Sequence, residues 1–131
     1  MYNKATFLAA AVFLSLGHLA YAVTPEQVGN YAGKGVFKIY NLSTDEVTTT
    51  RSGILLHIED NDTFTLTDSN GGSSSGSGHF GTHDAVLSDL SDAPSTYYVI
   101  PIHFKKTTVK GSLSAGSPIF ILEGKFSLKK I

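Results

Sequence analysis

Ile119–Ile131, IFILEGKFSLKKI, carries the longest clean alternation in the chain. Phe120, Leu122, Phe126 and Leu128 fall on one side, and Glu123, Lys125, Ser127 and Lys129 on the other. A period of two places successive side chains on opposite faces of a strand, so this segment reads as a half-buried β-strand with a well-defined register. Gly124 interrupts the apolar row midway, which predicts a bend of the kind that barrel strands and curled sheets need.

Upstream the same grammar recurs. Thr96–Lys106 (TYYVIPIHFKK) places Tyr98, Ile100, Ile102 and Phe104 on one face, with Pro101, His103 and Lys105 on the other. Proline cannot donate a ladder hydrogen bond, so Pro101 predicts a sheet edge or a bulge. Thr107–Ser114 continues this strand or pairs with it. Tyr31–Leu42 sets Phe37 and Ile39 against Val36, Lys38 and Tyr40, and Val47–Glu59 and Thr63–Thr67 follow as β-rich runs. Asp60-Asn61-Asp62 is a polar corner typical of a hairpin. Asp84–Asp92 is compatible with a short helix or a strand. Seven or eight strands on short turns predict an all-β fold, a small antiparallel up-and-down barrel, with a two-layer β-sandwich as the alternative.

Ser69–Gly78 (SNGGSSSGSG) is low in complexity and has no side chain large enough to anchor it. It reads as a flexible loop, dispensable for folding, in an otherwise single β domain spanning residues 23–131.

The first 22 residues have a different character. Lys4 supplies a positive start, Ala5–Leu16 an apolar core, and Ala20-Tyr21-Ala22 the small-x-small pattern that signal peptidase needs. The apolar run is shorter than the ~20 residues of a bilayer span. Residues 1–22 are therefore expected to be a signal peptide, with Val23 the mature N-terminus and the protein periplasmic or secreted. The chain has no cysteine, so an exported form must rely on packing and hydrogen bonds alone. Ten Lys and Arg against eleven Asp and Glu leave a net charge of −1, with no basic run pointing to nucleic acid.

No constellation of catalytic side chains emerges. His57 and Glu59 share a strand face without a nucleophile specified nearby, and read as exposed. His79, His83 and Asp84 are the nearest approach to a metal cluster. On a strand, however, positions i and i+4 lie ~13 Å apart, too far for one ion, and no metal or other cofactor is expected. No serine sits in a Gly-x-Ser-x-Gly elbow between a hydrophobic strand and a helix, and the phosphate-loop spacing is absent. Asn41-Leu42-Ser43 and Asn61-Asp62-Thr63 match the glycosylation sequon, relevant only in a eukaryotic source.

Thr24-Pro25-Glu26-Gln27 has the pattern of a capped helical turn, with Pro at the first helical position. Gly29-Asn30-Tyr31 then opens the first long strand. This arrangement resembles the start of a lipocalin or related calycin barrel, in which Gly-x-Trp opens the first strand after a short helical turn. Tyr31 stands where that family has Trp. Lys125, Lys129 or Lys130 stands in for the late Arg that closes the barrel beneath the aromatic. The resemblance implies binding of a small apolar ligand without catalysis, with Tyr98, Ile100, Phe104, Phe120 and Phe126 as candidate interior contacts. The expected function is that of an exported, non-enzymatic binding protein. The alternative is a structural or protein-interaction module acting through an exposed strand edge. Expected partners are a small apolar ligand or another protein, with no nucleic acid and no membrane insertion after signal cleavage.

Overall fold

The computed structural model describes residues 22–91 and 95–131. The expected signal peptide falls on residues 1–21, outside the described residues, and on the exposed Ala22. Eight strands follow in order: β1 Gly29–Asn41, β2 Val47–Ile58, β3 Thr63–Asp68, β4 Ser73–Phe80, β5 Asp84–Asp89, β6 Tyr97–Lys105, β7 Thr108–Gly116 and β8 Phe120–Lys130. Each pairs antiparallel with the next, and β1 pairs with β8, which closes an up-and-down barrel. The sandwich is thereby excluded. Closure gives every strand a neighbour on both sides, although β2 pairs with β3 only over Ile54–Ile58.

Alternation determines what faces inward. Phe126 and Leu128 are buried while Lys125, Ser127 and Lys129 are exposed, as the two-residue period requires. Ile100, Ile102 and Phe104 are buried in the core, and Tyr98 and Leu122 pack against it. Gly124 pairs with Phe37 across β1 and β8. A Cβ there would stand 2.1 Å from the Phe37 ring, so the missing side chain makes room for an aromatic in the interior.

Two expectations are corrected. Residues 73–78 of the Ser/Gly tract are not a loop but most of β4, paired with β3 and β5, so only residues 69–72 turn the chain. Glycines 76 and 78 face the interior and serines 73, 75 and 77 face out. A Cβ on Gly78 would lie 2.6 Å from the Phe80 ring and 2.8 Å from Leu87, so large neighbours fill the space the glycine leaves. Pro101 lies neither at an edge nor in a bulge. β6 is flanked by β5 and β7, and the β6–β7 register is unchanged on both sides of a gap at Ile100 and Pro101. The ladder simply loses the bonds that a proline cannot make. Tyr97, on the same strand face as His103 and Lys105, is buried. Together with Val86, Val99 and Ile121 it forms an outward-facing apolar group on β5, β6 and β8, which strict alternation does not anticipate. The ambiguous Asp84–Asp92 segment resolves as strand over Asp84–Asp89.

Candidate functional site

The two ends of the barrel are built differently. At the base, the chain enters through a turn in which the Gln27 and Val28 amides donate to the Thr24 carbonyl. The Gln27 side chain accepts from the Thr24 amide at 2.9 Å, the return half of a capping box. Its Nε2 donates to the Gly81 carbonyl at 2.8 Å, which ties the turn across to the β4–β5 hairpin. Beneath the turn lies Tyr31, 1% exposed, whose hydroxyl donates to the Gln27 carbonyl at 2.8 Å. Burial raises the Tyr31 phenol above its ordinary pKa. The Phe104 ring meets it edge-on at 6.1 Å. Lys130 Nζ sits 5.9 Å from the ring centroid and donates to the Glu26 carbonyl at 2.7 Å. Of the three lysines that could lie beneath the aromatic, Lys130 is the one that does. Phe64, Phe80, Leu56 and Ile58 pack this end solid.

The opposite end is open. A cavity of about 500 Å³ descends between the upper parts of the strands, within the ~300–1,000 Å³ usual for small-molecule sites. Its wall is apolar: Phe37, Ile39, Leu66, Leu113, Phe120 and Leu122, with Tyr98 beside them. Thr50, Ser52, Asp68, Asn70 and Ser74 supply a polar rim. The rim is ordered by its own hydrogen bonds. Asp68 Oδ1 accepts from the Asn70 and Gly72 amides at 2.7 and 3.1 Å, an Asx turn that shapes residues 69–72. The Ser69 hydroxyl accepts from the Gly53 amide at 2.9 Å, and Asn70 Nδ2 donates to the Ser52 hydroxyl at 2.5 Å. The tract thus has anchoring side chains after all, short ones that act through hydrogen bonds instead of burial. Asp89 lies nearby on the inward face of β5. Burial raises its pKa, but bonds from Ser91, Ser75 and Ser74 outweigh this and hold it below the ordinary carboxylate value.

Of the interior candidates, Tyr98 and Phe120 line this cavity. Ile100, Phe104 and Phe126 are buried in the packed core. Asp68 and the serines escaped sequence reading, although the inward parity of Phe64 and Leu66 extends to Asp68.

The remaining candidates lie on the outside. His79 and Asp84 are exposed on β4 and β5, and His83 is exposed in the turn between them. Asp84 Oδ1 is 2.7 Å from His103 Nδ1. Among the described residues no three His, Cys, Asp or Glu side chains gather as a metal site. His57 Nε2 lies 3.5 Å from Glu59 Oε1, both side chains well exposed, and His57 Nδ1 is 2.7 Å from Asn30 Oδ1. Neither pair borders the cavity. Asn41 and Asn61 are at exposed turns, their side chains accepting from the Ser43 and Thr63 amides.

Compared with known proteins, the chain matches no family model and no curated protein.

Proposed function

We propose that this chain is an exported, non-enzymatic binding protein that takes a small apolar ligand into the open end of its barrel. The observation that carries this reading is the asymmetry of the interior. One end is packed solid under the N-terminal turn, while the other holds a cavity of about 500 Å³ with an apolar wall and a polar rim. Such a cavity takes up apolar surface from water, and a few polar groups at its mouth orient what enters. The exterior carries Lys34, Arg51 and Lys125 while the interior is apolar, the reverse of a membrane-spanning barrel. The calycin-like reading is supported by Tyr31 sealed between the N-terminal turn and Lys130. Export rests on the signal-peptide pattern of residues 1–22. Among the described residues the cavity is lined by serine hydroxyls and one carboxylate without a histidine or lysine beside them, and binding without turnover is the reading this lining favours.

The test is titration of the exported protein with N-phenyl-1-naphthylamine, a neutral apolar dye that brightens out of water, together with native mass spectrometry. One equivalent of dye is expected to bind. Leu122→Trp, which fills the cavity from its wall, is expected to abolish binding while the far-ultraviolet spectrum stays unchanged. No dye uptake and no retained ligand in the wild type, or equal uptake by Leu122→Trp, overturns the proposal.

A further inference from the structure

The strand register gathers charge that the linear chain scatters. Lys34 on β1, Arg51 on β2, Lys110 on β7 and Lys125 on β8 all face outward and are exposed. Arg51 is paired with Val36 and Val36 with Lys125; one row below, Lys34 is paired with Ser127 and Ser127 with Lys110. Four adjacent strands at ~4.8 Å spacing bring the four cations within ~14 Å across the sheet. They line one shallow groove that contains no acidic side chain. Among the described residues the ion pairs involve only His57 with Glu59 and His103 with Asp84, so none of these four cations is neutralised. Glu123 is the nearest acid on this face, one row above and opposite Lys38. Lys129 continues the basic face below. Two apolar side chains stand exposed among the cations: Val36, 36% exposed, and Leu55, 43% exposed and paired with Ala32.

Like charges packed this closely repel one another, and nothing on the described surface offsets them. We propose that this outer face of β2, β1, β8 and β7 docks on an anionic membrane surface. The cations meet lipid phosphates, and Val36 and Leu55 reach toward the acyl boundary. Basic side chains interspersed with exposed aliphatic ones suit a lipid interface. A single-stranded nucleic acid would want aromatic stacking platforms, and the one aromatic residue of the groove, Phe126, is turned into the core. The groove lies on the outer wall and shares Ser52 with the cavity rim, but none of its four cations lines the cavity, so vesicle docking and dye uptake are separate readouts.

The test is co-sedimentation of the exported protein with phosphatidylcholine vesicles, with and without phosphatidylglycerol. Binding is expected only to the anionic vesicles and is expected to fade in high salt, which screens exposed charges. Lys34→Glu and Lys125→Glu are each expected to weaken partitioning about fivefold or more. Both sites are exposed, so thermal unfolding should stay unchanged and report that the fold is intact. Val36→Ser is expected to weaken binding with less salt dependence. Equal binding to neutral vesicles overturns the proposal, as does indifference to both charge reversals. Reversal-sensitive binding to a duplex oligonucleotide without any vesicle binding also overturns it.

Discussion

Phe126 and Lys125 are chain neighbours with opposite fates, because one faces the core and the other the basic groove. Phe126→Ala is expected to cost about 3–5 kcal/mol in chemical denaturation, the usual range for a buried ring. Lys125→Ala is expected to cost about 0.5 kcal/mol or less. Equal effects would contradict the alternation on which the β8 assignment rests. Asp89 offers a test by pH. Its folded-state pKa is lowered, because bonds from Ser91, Ser75 and Ser74 outweigh the effect of burial. A lowered pKa means that the folded state binds this proton more weakly than the unfolded chain does. The stabilisation is therefore complete above the unfolded value of about 3.9 and is lost as pH falls through the folded value. Asp89→Asn should be less stable than wild type at neutral pH, and the two stability curves should converge in acid. A constant gap between the curves across the acid range would show that this carboxylate contributes nothing through its charge.

At the scale of elements, β4 is the informative case. Strands are ordinarily recognised by β-branched and aromatic residues, and SSSGSGHF has only one large apolar side chain, Phe80. Its strand character comes from its neighbours. β3 and β5 present paired backbones on either side, and Phe80 and Leu87 fill the volume that an inward side chain on Gly78 would otherwise occupy. Gly78→Ala is expected to cost about 1–3 kcal/mol through overpacking. Ser77→Ala, on the exposed face, should be nearly neutral. Melting temperatures of the two variants check this, and equal values would mean that the inner face of β4 is not packed. The same reasoning reverses the expectation that the tract is dispensable. Removing residues 73–78 takes out a stave of the barrel, and loss of cooperative unfolding is the expected outcome. The β6–β7 turn is a case the alternation leaves open, since Thr107–Ser114 could continue the strand; the chain turns at Lys106 and Thr107, with Lys106 in the left-handed region at φ 56°.

For the whole molecule, the N-terminal turn links the expected processing to the closed end of the barrel. The Val23 backbone nitrogen donates to Asp62 Oδ1 at 2.7 Å. Cleavage after Ala22 converts that amide nitrogen into an α-ammonium beside the same carboxylate. A charged hydrogen bond of this kind is roughly twice as strong as a neutral one. The intact mass of the exported protein should begin at Val23, and Asp62→Asn should lower its melting temperature. Retention of residues 1–22, or an unchanged melting temperature in Asp62→Asn, counts against this linkage. The sequence by itself determined the all-β class, most strand positions, the inward rows of β6 and β8, and the Gly29-Asn30-Tyr31 run that opens β1. These are local matters, because a two-residue period and a turn residue act within a few positions of the chain. Closure, the strand status of β4, the choice of Lys130 beneath Tyr31 and the open cavity were decided only in three dimensions. So was the basic face, whose four cations lie on four different strands, Lys34 and Lys125 far apart in the chain yet in adjoining strands. Each depends on which strands become neighbours and in what register. Register is a property of pairs of segments, and no single segment carries it.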